Sequence, residues 1–162
     1  MSRRILVIGC PGSGKTTFAL RLAEKTGLPL YHMDRLNWRA DRTHLPREKL
    51  IAALQPILAS PCWIIDGNYG GTMSMRMEAC EEVIFLDYPV EVCLAGVRAR
   101  MGKPRVDMPW METEEDPAFM AFIRDYAEQS RPKVLALMAA HPDKTFTILH
   151  SREEADAQLA RR

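Results

Sequence analysis

The segment Gly9-Cys10-Pro11-Gly12-Ser13-Gly14-Lys15-Thr16 constrains the fold of this chain more than any other feature. It satisfies the pattern G-x-x-x-x-G-K-[ST], in which glycines let backbone N–H groups converge on phosphate oxygens. A β-branched apolar run over residues 4–8 precedes it, and a helical pattern over residues 15–25 follows. Strand, glycine loop and helix in this order are the context that a phosphate-binding loop requires. The sequence therefore predicts a binding site for a nucleoside triphosphate.

Three side chains of this loop and its helix have separate expected roles. Lys15 places a positive charge on the β- and γ-phosphates, and the positive end of the helix dipole adds to it. The Thr16 hydroxyl is an expected Mg²⁺ ligand, and Thr17 is placed to reach an α-phosphate. The residues predicted to hold the nucleotide are Gly9, Pro11, Gly12, Ser13, Gly14, Lys15, Thr16 and Thr17.

Strands and helices alternate along the rest of the chain, which predicts an α/β fold with a mostly parallel sheet of about five strands. The predicted strands cover residues 4–8, 30–33, 62–65, 83–86 and 145–149. The predicted helices cover residues 15–25, 46–59, 90–101 and 117–140, the last with a bend at Pro132, and a C-terminal helix begins at Ser151. At roughly 150 residues per domain, the 162 residues predict a single domain over 1–162.

The charge composition limits the possible partners. Lys and Arg total 22 against 21 Asp and Glu, so a net charge of +1 gives no field to hold nucleic acid or an acidic membrane. However, 16 of the 22 basic residues are Arg, whose planar fork suits phosphate oxygens. The four cysteines show no metal-ligand spacing and predict free thiols in a reducing compartment. We expect a cytoplasmic monomer or homodimer without a membrane segment.

Several further segments carry a family resemblance. They are His32-Met33-Asp34-Arg35-Leu36-Asn37-Trp38, Ile64-Ile65-Asp66-Gly67-Asn68-Tyr69, Phe85-Leu86-Asp87-Tyr88-Pro89 and Ser130-Arg131-Pro132. With the glycine loop, they make the chain resemble the adenylate-kinase-related branch of P-loop kinases, and most of all its DNA topology modulation proteins. The resemblance implies a three-layer P-loop NTPase sandwich with sheet order 2-3-1-4-5. It also implies an ATP·Mg²⁺ site, an acceptor pocket beyond the second and third strands, and a short arginine-bearing lid at about residues 102–117.

Candidate lid cations cluster at the end of the predicted helix 90–101. Residues 98–105 hold four positive charges and no acid, and a kinase needs cations that neutralise charge on the transferred group. We expect Arg100 here and Arg131 on the following helix to close onto the phosphates. The alternative is a solvated helix end that pairs with the acids of residues 107–116.

One position departs from the family pattern. Relatives usually place an arginine seven residues after the proline that corresponds to Pro89, and this chain has Gly96 there. Whether Arg98 replaces that arginine stays open at this point.

Two aspartates follow buried strands, where open α/β sheets bind ligands. Such a carboxylate can accept a hydrogen bond from an attacking hydroxyl or hold Mg²⁺. By resemblance, Asp66 lies on the metal side and Asp34 on the acceptor side. The predicted metal ligands are Thr16 and Asp66, directly or through water. The predicted acceptor residues are Asp34, Arg35, Trp38, Asn68, Tyr69 and Arg76.

The leading hypothesis is an ATP-dependent kinase that transfers the γ-phosphoryl group to a nucleotide or a small hydroxylated metabolite. Its predicted catalytic residues are Lys15, Asp34, Asp66, Arg100 and Arg131. AMP is disfavoured as the acceptor, because Gly70 stands where related enzymes carry an AMP-clamping arginine. The alternative hypothesis is a nucleotide-dependent regulator that affects DNA topology without metabolic kinase activity. It lacks the helix-turn-helix or contiguous basic face expected of a DNA-binding protein.

Overall fold

The computed structural model describes residues 2–162. Within that range the strands are β1 (Arg4–Gly9), β2 (Leu30–His32), β3 (Trp63–Asp66), β4 (Glu82–Leu86) and β5 (Thr145–Leu149). The helices there are α1 (Lys15–Thr26), α2 (Met33–Asn37), α3 (Arg47–Ala59), α4 (Gly70–Ala79), α5 (Val90–Arg100), α6 (Pro117–Gln129), α7 (Arg131–Ala139) and α8 (Arg152–Ala160).

The five strands form one parallel sheet in the order β2-β3-β1-β4-β5. This confirms both the predicted fold class and the strand order that the family resemblance implies. In the register of the sheet, Asp66 is paired with His32 on one side and with Val7 on the other. The carboxyl ends of β1, β2 and β3 therefore lie at the same edge of the sheet, where the glycine loop begins.

Helices cover both faces of the sheet. The connection from β1 to β2 crosses the sheet in one direction, whereas those from β2 to β3, β3 to β4 and β4 to β5 cross in the other. Because parallel crossovers are right-handed, opposite directions place the connecting helices on opposite faces. In agreement, α1 packs with α8, and α4 packs with α3 and α7. The result is a three-layer α/β sandwich.

The central strands are buried on both sides, as their continuous apolar sequences predict. The side chains of residues 5–8, 63–65 and 83–86 are at most 1% exposed. Burying each large aliphatic or aromatic side chain contributes about 1.5–3 kcal/mol to the stability of the fold. These strands are therefore a stable base for the residues at their carboxyl ends. None of the helices within residues 2–162 is both long and apolar enough to cross a bilayer.

Two helices differ from the sequence prediction. The segment 33–37 was expected to be strand end and loop but forms α2, and α4 was not expected at all. α4 starts with two glycines, which have the poorest helix propensity after proline, so its local sequence signal is weak. The long helix predicted for residues 117–140 is divided at Ser130, and Pro132 stands in the first turn of α7, where its missing N–H has no cost.

Candidate functional site

The glycine loop between β1 and α1 adopts a conformation that only glycine permits. Gly12 and Gly14 have φ angles of 85° and 88°, in the left-handed region. A Cβ atom at Gly12 would lie 2.0 Å from the carbonyl oxygen of Cys93 in α5. At the start of the loop, the Gly9 amide donates a hydrogen bond of 3.2 Å to Oδ1 of Asn68. The loop is therefore held between the sheet edge and α5.

A cavity of about 1280 Å³ opens over this loop, and we call it the phosphate-loop cavity. It is bounded by the loop, by the residues that follow β2 and β3, and by α5 and the segment 101–116, which we call the lid. The cavity brings together most of the predicted site residues, namely Pro11, Gly12, Gly14, Lys15, Thr16, Thr17, Asp34, Trp38, Asn68, Tyr69 and Arg100.

Lys15 is the first residue of α1 and lies among carboxylates. Burial lowers the pKa of Lys15, while the charges of Asp34 and Asp66 oppose that change. A lysine in such surroundings is a single positive charge enclosed at the base of the cavity. An anionic group at this position could form an ion pair with the ammonium group of Lys15.

Asp34 lies in α2, and its carboxylate faces the cavity. The hydroxyl of Tyr69 donates a hydrogen bond to Oδ1 of Asp34, and Nη2 of Arg105 lies 3.8 Å from Oδ2. Burial and the Asp34 charge raise the pKa of Tyr69 well above its usual range, so this phenol remains a donor. Tyr69 has a φ angle of 34°, which is uncommon for a residue other than glycine. The turn after β3 thus directs the phenol at Asp34.

Asp66 ends β3 and pairs with His32, the last residue of β2. Their Oδ2 and Nδ1 atoms are 2.5 Å apart, and the side chains are 4% and 12% exposed. Burial raises the pKa of Asp66, against the lowering influence of His32. Burial alone would lower the pKa of His32, but the hydrogen bond and charge of Asp66 raise it. Asp66 therefore lies beneath the cavity wall and has a fixed orientation.

Arg76 is a predicted acceptor residue that the structure does not bring to the cavity surface. Its side chain is fully buried in α4, and its guanidinium donates to Oγ1 of Thr72 and to the backbone carbonyls of Gly67, Asn68 and Tyr69. Burial lowers the pKa of Arg76 to about 10. The expected direct contact with an acceptor is not available to it here, because its donors already hold the turn that positions Tyr69.

The lid contacts both ends of the cavity through residues that the sequence did not single out as catalytic. Arg105 binds the Asp107 carboxylate with two hydrogen bonds, of 3.0 and 2.7 Å, and also pairs with Glu112. Oδ2 of Asp107 in turn accepts a 3.0 Å hydrogen bond from the Thr16 hydroxyl. Arg35 does not line the cavity; its Nε donates to the carbonyl of the lid residue Val106 at 2.8 Å.

Position 96 has no room for the arginine that relatives carry there, and two nearby arginines, Arg98 and Arg100, differ in where they lie. A Cβ at Gly96 would lie 2.0 Å from the Gly12 carbonyl oxygen, so α5 and the loop are too close for any side chain there. Arg98 points outward and pairs with Glu115, and both side chains are about half exposed. Arg100 lines the cavity, and its buried Nε has no hydrogen-bond partner within residues 2–162. Of Arg98 and Arg100, it is Arg100 that lines the cavity.

Arg131 lies elsewhere. It makes a two-pronged ion pair with Asp87, with Nε and Nη2 at 2.9 and 2.8 Å from the carboxylate oxygens. Asp87 directly follows β4 and accepts all of these hydrogen bonds. Both residues line a smaller cavity of about 360 Å³ with Cys10, Tyr126 and other residues. Arg131, predicted to close onto the phosphates, therefore does not line the phosphate-loop cavity.

Two residues that sequence reasoning missed line the cavity beside Trp38. The ring of Trp110 in the lid packs edge-to-face on Trp38 with 5.3 Å between centroids. The guanidinium of Arg42 lies 5.7 Å from the Trp110 centroid, and its φ of 69° is in the left-handed region. Since neither residue follows a strand or belongs to a motif, no local signal marks them.

Comparisons with known proteins identify the fold. No protein-family model matches this chain, and no curated protein sequence does. Among solved structures, shikimate kinase from Bacteroides thetaiotaomicron has a TM-score of 0.63 and 19% identity, covering 99% of this chain and 96% of that one. Shikimate kinase from Acinetobacter baumannii in complex with shikimate has a TM-score of 0.65 and 18% identity, covering 98% and 89%. A gluconokinase from Sinorhizobium meliloti 1021 has a TM-score of 0.58 and 19% identity, covering 98% and 92%. The chain therefore has the fold of P-loop kinases.

Proposed function

We propose that this chain is an ATP-dependent kinase that phosphorylates a nucleotide or a small hydroxylated metabolite. One observation carries the proposal: a single cavity joins the glycine loop and its lysine to the carboxylate of Asp34, two residues after β2, with arginines on the same wall. The solved structures of the same fold, which bear the names shikimate kinase and gluconokinase, support the same reaction class. We further propose that the chain belongs to the DNA topology modulation proteins that its motifs resemble.

The loop holds the donor. Its backbone N–H groups and the N-terminus of α1 receive the β- and γ-phosphates of ATP, and Lys15 supplies a positive charge to them. The loop needs glycine at two positions, because both Gly12 and Gly14 have left-handed φ angles and the Cys93 carbonyl of α5 fills the space beside Gly12. Thr17 lies at the cavity wall within the same turn of α1.

Asp34 serves the acceptor. Its carboxylate accepts the proton of the acceptor hydroxyl while that oxygen forms a bond to the γ-phosphorus, and the bond from this phosphorus to the oxygen bridging it to the β-phosphorus breaks. Tyr69 holds the carboxylate in orientation through its own hydroxyl. Trp38 and Trp110 present ring surfaces on which an acceptor can pack, and Asn68 ties this wall to the loop.

Arg100 and the lid provide charge and closure. The guanidinium of Arg100 lies with Nη2 3.3 Å from Oε1 of Glu112, and its buried Nε lacks a partner in the described residues, so it keeps a donor for an anion. Residues of the lid lie across the cavity and exclude water from the transferred group. Arg100 neutralises the charge that develops on the transferred phosphoryl group. Arg131 would have to leave Asp87 to take part.

A divalent cation fits the same place. Thr16 offers a hydroxyl at the cavity, and Asp66 offers a carboxylate beneath its wall that would act through water; both are the hard oxygen donors that Mg²⁺ prefers. When bound, Mg²⁺ neutralises charge on the β- and γ-phosphates.

The test is a phosphoryl-transfer assay with ATP and Mg²⁺ over a panel of nucleosides, nucleotides, polyols and hydroxylated acids. We expect at least one acceptor to accelerate ADP release far above slow hydrolysis, and to yield a phosphorylated product by mass spectrometry. Asp34→Asn should retain ATP binding and lose transfer, whereas Asp41→Asn, at an exposed turn outside the cavity, should retain both. If no acceptor accelerates turnover while ATP binds, the chain is not a metabolic kinase.

A further inference from the structure

The lid residue Asp107 meets the phosphate loop at a position that a bound nucleotide would need. Its carboxylate is 5% exposed, and its Oδ2 lies 3.0 Å from Oγ1 of Thr16, a residue 91 positions away in the chain. Thr16 carries the hydroxyl predicted to ligate Mg²⁺. A buried carboxylate therefore touches the side chain that marks the metal side of the loop.

This arrangement is unfavourable for binding phosphates alone. Phosphate oxygens that settle beside Lys15 and Thr16 would face the negative charge of Asp107. Arg105 is the nearest cation, but it is already shared among the carboxylates of Asp107, Glu112 and Asp34. A further cation between Asp107 and the phosphates would remove the repulsion.

The distance fits a shared cation. Mg²⁺ holds oxygen ligands at about 2.1 Å in octahedral geometry, so two adjacent ligands are about 3 Å apart. The Thr16 and Asp107 oxygens are already at 3.0 Å. Arg105 holds Asp107 by two parallel hydrogen bonds, so the carboxylate is pre-oriented.

We propose that Asp107 is a lid-borne ligand of the Mg²⁺ that accompanies ATP, directly or through one water. The lid already contacts the loop through Thr16, and a metal held by both residues would strengthen that contact, so that Mg²⁺ adds to the affinity for ATP. This inference rests on the proposed function, because it presumes that ATP occupies the loop.

The test measures ATP affinity by titration calorimetry, with Mg²⁺ and with EDTA, and needs no acceptor. In the unaltered protein, Mg²⁺ should strengthen ATP binding. Asp107→Asn should bind metal-free ATP more tightly, because a like charge is gone, and should reduce the Mg²⁺ enhancement by about tenfold or more. The matched control is Glu115→Gln, which removes a lid carboxylate that pairs with the exposed Arg98 and has no hydrogen bond to Thr16, and it should keep the enhancement.

Failure of the proposed function and failure of the Asp107 assignment give different results. If ATP does not bind the unaltered chain, the proposed function fails and this inference falls with it. If ATP binds and Asp107→Asn changes affinity equally with and without Mg²⁺, or not at all, Asp107 is only a lid contact and the inference alone is wrong. A second measurement uses the unaltered protein, so it still tests the inference if the Asp107→Asn variant does not fold. With Fe²⁺ in place of Mg²⁺, ascorbate and peroxide should cleave the backbone near residue 107 when ATP is present. Cleavage near Thr16 without any near residue 107 would overturn the assignment.

Discussion

The contact between Gly96 and Gly12 predicts that Gly96→Ala destabilises the protein, although alanine has the higher helix propensity. Replacing a helical glycine by alanine normally stabilises a protein by about 0.5–1 kcal/mol. At Gly96, however, the new methyl carbon would lie 2.0 Å from the Gly12 carbonyl oxygen and 2.9 Å from its carbon. Both obstructing atoms belong to the backbone, so α5 or the loop must move by about 1.4 Å to restore an ordinary contact of 3.4 Å.

The magnitude follows from this displacement. Overpacking in a rigid region costs about 1–3 kcal/mol, and a backbone obstacle places Gly96→Ala at the upper end. After the propensity gain, we expect the free energy of unfolding to fall by about 2 kcal/mol. Because the displaced atoms belong to the phosphate loop, the affinity for ATP should fall as well, by about tenfold or more.

Urea unfolding and titration calorimetry with ATP measure the two effects. Gly71→Ala is the matched control, since a Cβ at that helical glycine meets only the Arg47 Nε, at an ordinary 3.5 Å. It should leave ATP affinity unchanged and keep or slightly raise stability. A Gly96→Ala protein that is as stable as Gly71→Ala and binds ATP normally would refute the reasoning, because it would show that α5 and the loop are not in tight contact.

Three further predictions concern other residues. Arg76→Met leaves the buried carbonyls of the turn after β3 without donors, so urea unfolding should show a loss of about 3 kcal/mol; a loss below 1 kcal/mol would contradict the role assigned to this guanidinium. Arg42→Ala should raise KM for an anionic acceptor by about tenfold with the ATP affinity unchanged, whereas Arg39→Ala, on the same turn but outside the cavity, should not; equal effects would exclude a specific contact. Burial alone would raise the pKa of Glu82, but Arg162 lowers it overall, so this carboxylate adds stability above its unfolded pKa; the stability advantage over Glu82→Gln should shrink as pH falls below 4.5, and an advantage independent of pH would be contrary to this pairing.

The sheet and the donor side of the site were predictable from local sequence. Buried parallel strands have continuous apolar runs, and the glycine loop needs its residue types at fixed spacing. The alternation of these runs with helical segments predicted the fold class, which the structure confirms. The two missed helices, α2 and α4, are short or glycine-initiated, and both are stabilised by packing more than by propensity.

The acceptor side was only partly predictable, because its geometry depends on long-range contacts. The sequence marks Arg76 as a charge near an expected pocket, yet burial turns its donors toward its own chain. Asp107 and Thr16 are brought together across 91 residues, and no spacing rule relates them. Likewise, the absence of an arginine at Gly96 has a steric cause in the loop, which is visible only once α5 is placed against it.

The tryptophans give this chain two optical reporters with different meanings. Trp63 is fully buried in β3, so its indole emission responds to loss of the sheet. Trp38 and Trp110 touch each other across the cavity, one beside the predicted acceptor carboxylate and the other in the lid. When the lid moves away, this indole pair separates and its emission changes while that of Trp63 does not. Opening of the site and unfolding of the protein can therefore be distinguished without any attached dye.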